Sequence, residues 1–435
     1  KVGLSPDPPI DWLGASRFWG VTLALALHLY PILYLNAVAA LSGIDPAMEE
    51  AGRALGAGRW LRFRRITLPL MMPGVFAGGT IVFIWSFTEL GTPIMFDYTR
   101  VTAVQVFDSL KEIGDNPFPY VLVAVMLASS VILYALGRFF LGRQTGATLT
   151  RGFRGASEKT LRGWRAGAAL AFLALVTVLA LIPHIGLVLL SLSEDWYKTV
   201  LPERWTLIHY RDALGHSFTV PSIANSLRYA GVATLIDLLV GLAAAWILAR
   251  TSLRGRGFLD ALVMTPLAVP GIVLAFGYLA MTQPGEPLAF LDPAKDPTLL
   301  LIVAYAIRRL PYVVRSVAAG LEQAGRSLEE AARNLGAGPF RTLRRVTLPL
   351  ISPHLIAGGV LALSFAMLEV SDSLMLAQRQ SDFPITKAIY ELYMLLGEGR
   401  YLASALGVWS MLFLAVGLAL AGRLLGRRLG ALFRV

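Results

Sequence analysis

At 435 residues, 56% hydrophobic and only 15% charged, the chain is far too apolar for a soluble globular protein. Its net charge of +11 gathers in alternate loops, a distribution that speaks for membrane topology and against nucleic-acid binding. There is no cysteine, so neither a disulfide framework nor a thiolate metal site is available.

Nine apolar stretches are long enough to cross a bilayer, near 17–41, 71–96, 119–141, 166–192, 222–249, 258–281, 299–321, 348–377 and 401–422. Arginine collects at 53–65, 138–165, 326–345 and 423–434, whereas the loops 97–118, 193–221, 282–298 and 378–400 are mixed or acidic. The positive-inside rule therefore places the arginine-rich loops and the C-terminus in the cytoplasm, and nine spans alternate without conflict.

In chain order, a proline-stiffened stretch at 5–12 precedes the first span, which contains Pro31 and is expected to kink there. Asp45-Pro46 reads as an N-cap with proline at the first helical position. Further on, Ser327 and Glu330 have the spacing of a capping box. Each of these two points opens a short cytoplasmic helix, expected to stop near Gly56 or Gly336 and to lead by a basic ascent into the next span. Gly74, Gly78 and Gly79, like Gly358 and Gly359, are small enough for close packing between membrane helices. A basic, Gly- and Thr-rich linker at 142–165 divides a first domain, 1–141, with three spans from a second, 166–435, with six.

The two short helices belong to a repeat. Residues 47–79 recur at 327–359, an offset of 280 without a gap, with eighteen of thirty-three positions identical. Glu49-Glu50-Ala51 returns as Glu329-Glu330-Ala331, Leu55 to Gly58 as Leu335 to Gly338, Arg64-Arg65 as Arg344-Arg345, and Thr67 to Leu70 as Thr347 to Leu350. A polar surface loop kept this alike implies that one kind of partner surface is met twice. Pro31 and Pro311 share the offset, so the halves align before the repeat as well. On that alignment the first half is expected to lack about three spans, and the complete protein to have about twelve.

Enzymatic chemistry finds no support. None of the six lysines follows a glycine, so there is no phosphate-binding Gly-x-x-x-x-Gly-Lys loop. The five histidines show no helical metal spacing, and no Gly-x-Ser-x-Gly elbow occurs.

The repeat resembles the EAA loop of binding-protein-dependent ABC importer permeases. The resemblance rests on Glu50-Ala51-Gly52, Gly56 and Ile66-x-Leu68-Pro69, and again on Glu330-Ala331-Ala332, Gly336 and Val346-x-Leu348-Pro349. The first copy departs from the pattern with Gly52 for alanine, the second with Val346 for isoleucine. Gly52 is expected to soften its helix by about 1 kcal/mol relative to alanine. The resemblance implies an all-α fold: a polytopic transmembrane helical bundle of two parallel permease repeats, the first truncated at its N-terminus. It implies that Glu49, Glu50, Ala51 and Gly56, with Glu329, Glu330, Ala331 and Gly336, form coupling helices seated on two ABC ATPase subunits. In that role the glycines are expected to permit close backbone approach. It further implies an extracytoplasmic binding protein, membrane lipid around the bundle, a bacterial cytoplasmic (inner) membrane location, no resident cofactor or metal, and no catalysis by this chain. The stretches 266–274, 368–374 and 383–390 resemble fused ferric-iron permeases, and thiamine importers have a similar fused form. A secondary transporter with parallel repeats is the alternative, and it gives no reason for duplicated cytoplasmic loops.

Five charged residues in the spans are candidates for the translocation path. Arg308 and Arg309 lie too deep to snorkel easily and are expected to face the bundle interior, whereas Arg315 is expected to snorkel. Glu89 and Glu369, again 280 apart, are expected to face each other across a pseudo-two-fold axis, with Asp372 beside the second. Each lies roughly 28 Å beyond its coupling loop, towards the outer edge of the hydrocarbon.

Overall fold

The computed structural model describes residues 16–112, 116–141, 161–196 and 199–425; the stretch at 5–12, most of the linker and the basic tail lie outside the described residues. The chain divides into two compact units, one of Lys1–Ser109 with Pro117–Ile185, the other chiefly of Gly186–Leu432. Among the described residues the secondary structure is helical, with one isolated bridge between Ser193 and Trp205.

The first unit contains α1 (Arg17–Ser42), α2 (Pro46–Ala54), α3 (Arg59–Thr88), α4 (Gly91–Met95), α5 (Thr102–Asp108) and α6 (Phe118–Leu141). α7 (Trp164–Ser191) follows the linker. The second unit continues with α8 (Ile208–Gly215), α9 (Thr219–Arg250), α10 (Arg256–Ala268), α11 (Gly271–Met281) and α12 (Thr298–Gln323). It ends with α13 (Ser327–Asn334), α14 (Pro339–Met367), α15 (Ser371–Leu376), α16 (Ile385–Met394) and α17 (Gly399–Leu425).

All nine expected stretches are helical, but three differ from a plain span. The stretch at 258–281 is not one helix: α10 and α11 meet at a bend of 99°. Val269 precedes Pro270, is pushed to extended backbone (ψ 131°), and so cannot continue the helix. The stretches at 71–96 and 348–377 end early, at Thr88 and Met367, and each is followed by a short separate helix, α4 or α15. The stretch at 299–321 is one continuous helix, α12, whose three arginines keep it from being apolar along its length. Among the described residues six helices are long and apolar enough to cross a membrane, and the α10–α11 pair makes a seventh if counted as one broken span.

α3 and α14 both contain a π-helical turn, Phe63–Thr67 and Leu343–Thr347. Pro69 and Pro349 lack the N–H that would close the preceding α-turn, and the amide of Leu68 or Leu348 instead reaches five residues back to Phe63 or Leu343. The same two-residue signal therefore shapes both ascents.

Within each unit the helix before the loop packs on the helix after it, α1 on α3 and α12 on α14. Glycines set how closely. A Cβ at Gly78 would come within 2.9 Å of Asn36 Cβ and 3.2 Å of Leu33 Cα. At Gly358, the same position 280 residues on, it would come within 3.1 Å of Ser316 Cβ and Val313 Cα. Elsewhere the small residue changes sides: Gly74 receives Ala40 in the first unit, and Gly320 receives His354 in the second. Those are the same two helix positions with the bulk exchanged. The close approach is thus kept at the same two helix positions while the residues change, the second pair being the bulkier.

The same compensation explains both departures from the EAA pattern. A Cβ at Gly52 would lie 2.7 Å from Ile66 Cδ1. The second copy carries the extra methyl at Ala332 and omits a methylene at Val346. Gly52 is therefore a packing residue, and the expected local softness is the lesser effect. Gly52→Ala alone should destabilise the first unit by about 1–3 kcal/mol through overpacking. Adding Ile66→Val should recover most of that loss, as read from thermal unfolding of the detergent-solubilised protein.

Candidate functional site

The duplicated loop is built by short-range rules. At the first copy Asp45 caps α2, its carboxylate accepting from Ala47 N at 2.9 Å, with Pro46 in the first turn. The second copy does not use the expected capping box: Ser327 is already inside α13, and Arg326 at the cap position makes no side-chain capping bond. The helix is held there by other means, described below.

Both helices end alike. Gly56 N donates to Arg53 O at 3.0 Å and Ala57 N to Gly52 O at 3.0 Å; Gly336 N donates to Arg333 O at 2.9 Å and Ala337 N to Ala332 O at 3.0 Å. This paired closure needs a left-handed residue, and Gly56 and Gly336 have φ of +77° and +79°. Nothing lies within 4 Å of a Cβ placed on either. Within the chain these glycines therefore serve the turn.

The first glutamate of each copy turns inward. Glu49 accepts a hydrogen bond from Thr67 at 2.9 Å, and Glu329 accepts from Thr347 at 3.3 Å. Glu329 also meets Arg250 at the end of α9: Nε and Nη2 both stand 3.1 Å from its Oε1, and both side chains are only 7% exposed. Arg250 Nη2 donates to Gly325 O at 3.2 Å, and Arg326 Nη2 returns a bond to Ala249 O at 3.2 Å. These bonds do the work that a side-chain cap does in the first copy.

The remaining members face outward. Glu50, Ala51 and Gly56 are exposed, as are Glu330, Ala331 and Gly336. Beside them stand two apolar residues that the motif alone does not single out. Leu55 and Leu335 are 87% and 88% exposed, and Trp60 and Phe340 are exposed too. The signal for them was present in the sequence, since both positions keep their character at the 280-residue offset.

A second cluster lies inside the second unit. Arg308 and Arg309 of α12 both donate to Glu369, which follows the end of α14, and Arg308 Nη1 also stands 3.3 Å from Asp372 Oδ2 on α15. Glu369 is 5% exposed and Asp372 is fully buried. Tyr305 OH and Ser373 Oγ are 2.6 Å apart, and Thr386 Oγ1 donates to Glu369 O at 2.7 Å. A side chain at Gly271 would overlap the Arg308 guanidinium, so the break between α10 and α11 opens the slot through which Arg308 reaches its carboxylates. Arg308 lies about 15 Å along α12 from Thr298, so Glu369 meets that helix part-way down its length and not at its outer end.

Sequence reasoning missed Asp237, buried in α9, whose Oδ2 has no hydrogen-bond partner among the described residues. A carboxylate in the middle of an apolar stretch was its visible signal. Arg315 is half-exposed and pairs with Asp260 at 3.2 Å. Glu89, in the first unit, accepts from Gly91 N at 3.1 Å and so opens α4.

Removing charge from Glu369 leaves two guanidiniums without their shared partner, a change worth about 3–5 kcal/mol for a buried pair. Glu369→Gln should therefore lower the unfolding midpoint clearly. Arg309→Leu, which installs the residue found at the corresponding Leu29, should return part of that loss in the double variant.

The comparisons agree with this construction. The chain is similar to the ferric transport system permease protein FbpB of Actinobacillus pleuropneumoniae, 28% identical over 370 residues, covering 83% of this chain and 52% of that protein. It is similar to the Fe(3+)-transport system permease protein FbpB 2 of Haemophilus influenzae, 24% identical over 366 residues, covering 82% and 68%. It is also similar to the sulfate transport system permease protein CysT of Salmonella typhimurium, 35% identical over 217 residues, covering 48% and 73%. The chain spans about half the length of the first two curated relatives it matches. Among solved structures, a bacterial alginate ABC transporter in complex with an alginate pentasaccharide-bound periplasmic protein aligns with a TM-score of 0.48 and 18% identity, over 61% of this chain and 96% of that one. The sequence model of the binding-protein-dependent transport system inner membrane component family matches residues 8–144 and 238–430, so most of the chain is accounted for and the protein belongs to that family.

Proposed function

We propose that this chain is the membrane-spanning permease of an ATP-driven importer, receiving cargo from an extracytoplasmic binding protein and resting on two ATPase subunits. The observation that carries the reading is the duplicated loop. In each copy the same glutamate and the same leucine face outward at a short helix closed by a left-handed glycine, and an aromatic residue of the following helix is exposed too. An exposed apolar residue beside a carboxylate on a rigid helix suits a groove on a partner protein, and two copies suit two such grooves. ATP hydrolysis then belongs to the partner subunits. The loops and the C-terminus lie on the cytoplasmic side in this reading, because the arginines do.

Ferric iron is the cargo we favour. The two ferric relatives above match across both halves of the chain, whereas the sulfate relative matches about half of it. An oxyanion is the second reading, favoured by the higher identity to that sulfate permease and by the paired arginines. Glu89 belongs to the translocation path in this proposal, with Glu369 and Asp372 as the corresponding acids of the second half. Arg308 and Arg309 hold those two in place. Glu89→Gln should lower uptake of a cation and spare assembly; unchanged uptake would take Glu89 off the path.

Copurification tests the central claim. The full-length permease should bring down an ATPase subunit, and radiolabelled ferric iron, not sulfate, should accumulate in proteoliposomes supplied with ATP and the binding protein. Gly336→Asp strains the left-handed closure and places charge beside Leu335, so it should abolish uptake while the protein remains inserted. Uptake without any ATPase would replace this reading with secondary transport.

A further inference from the structure

The second loop is tied to the interior cluster by a continuous set of bonds, and α9 is the member that spans the distance. Its 32 residues run about 47 Å from Thr219 to Arg250. At one end Arg250 holds Glu329 of the loop, as well as Gly325 just before it. At the other end α9 grips the backbone of the segment before α16. Asn225 Nδ2 donates to Ser381 O at 2.8 Å and Phe383 O at 3.3 Å, and Ser226 Oγ accepts from Ile385 N at 2.7 Å. Tyr229 OH adds a bond to Asp382 O at 3.4 Å. The same segment reaches back to the cluster, where Thr386 Oγ1 holds Glu369 O.

Between its ends α9 is not free to slide. A Cβ at Gly241 would lie 2.7 Å from Val313 Cγ1 of α12, and one at Gly359 of α14 would lie 3.4 Å from Leu238. Contacts this close make helices move as bodies. The buried Arg250–Glu329 pair has the matching property at the loop. Separating it would strand two charges with little water near them, so the loop cannot shift without moving the end of α9.

We infer that Arg250 is a positioning residue for transport: it fastens the second loop to α9, and α9 carries the loop's displacement to the 381–386 segment that steadies Glu369. The transport role rests on the importer reading; the mechanical link does not. Glu330, exposed beside Glu329, is left to meet the ATPase, so the two adjacent glutamates divide partner contact from transmission. Loop movement then reaches Glu369 from two sides, through Thr386 and through the arginines of α12 packed on α9.

Two arms test this on the full-length permease in nanodiscs. In the first, hydrogen exchange is followed at the amides of 381–386 and 369–374 without any partner protein. Arg250→Ala should speed exchange at Ile385, whose partner Ser226 is about 36 Å from Arg250 by the rise of α9, by ~10-fold or more. Arg254→Ala, an exposed arginine four residues on, should leave it unchanged. Arg250→Lys, which keeps the charge and loses the two-pronged contact, should fall between them and serves if the alanine variant fails to fold. In the second arm the ATPase and the ferric-loaded binding protein are added. Arg250→Ala should keep ATPase copurification and basal hydrolysis but lose ~10-fold of the stimulation by binding protein. The exchanged pair Arg250→Glu with Glu329→Arg should restore it. Unchanged exchange at Ile385 in both the alanine and the lysine variants overturns the inference, as does full stimulation in Arg250→Ala. Should the wild-type chain recruit no ATPase, the importer reading fails, and the exchange arm still decides the link.

Discussion

The second unit is organised around one carboxylate held by two guanidiniums. Glu369 can remain charged in the interior because Arg308 and Arg309 meet it, and they in turn can be buried because Glu369 and Asp372 are there. Much of the local backbone follows from that requirement. α14 stops at Met367 so that its end can present Glu369. α10 and α11 break at Pro270-Gly271, where any side chain would displace Arg308. α15 starts two residues after Glu369 and brings Asp372 and Ser373 to the same place. A run of apolar residues alone would have given two straight spans here. Pro270 makes the first break, and the first unit also stops, at Thr88, without an arginine pair, so the ion cluster occupies these breaks and does not cause them.

The duplicated loop obeys a different constraint, that of a surface. The outward Glu50, Leu55 and Gly56 return as Glu330, Leu335 and Gly336, although the exposed Ala54, Arg59 and Leu61 give way to Asn334, Pro339 and Arg341, and some interior pairs behind the loop differ as well. Gly52 with Ile66 and Ala332 with Val346 fill a similar space, whereas Gly320 with His354 is bulkier than Ala40 with Gly74. Interior positions tolerate exchange provided the summed volume is kept. Outward positions have no neighbour within the chain to compensate them, so their identity between copies reflects something outside it. That contrast is the physical case for a shared partner, and it does not lean on the motif's name.

What was legible in the sequence follows the range of the interactions. The helices at all nine apolar stretches, the Asp45 cap and the ends at Gly56 and Gly336 depend on neighbours within a few residues, and each could be read directly. The capping box at Ser327 was a false local signal. The next bonds to α13 come from Arg250 and Arg326, and one of those lies 79 residues from its partner. The broken span was half-legible: Pro266 and Pro270 were visible, but the arginine from another helix that occupies the break was not. Arg308 and Arg309 had to find partners, yet nothing in the sequence could say that both would find the same glutamate. Asp237 was visible as an oddity, and only its buried setting shows it to be one that matters.

The two halves are alike where they face outward and unlike where they face inward, and the difference has a direction. At the shared offset Arg308 corresponds to His28, Arg309 to Leu29, Tyr305 to Leu25 and Asp372 to Thr92, while Glu369 keeps its counterpart in Glu89. The second half has therefore surrounded its glutamate with fixed charges and a tyrosine; the first has not. An arginine pair neutralises a carboxylate at any physiological pH, whereas a histidine and a leucine do not. Of the two duplicated glutamates, Glu369 has its charge spent on holding helices together. Glu89 bonds the amide of Gly91.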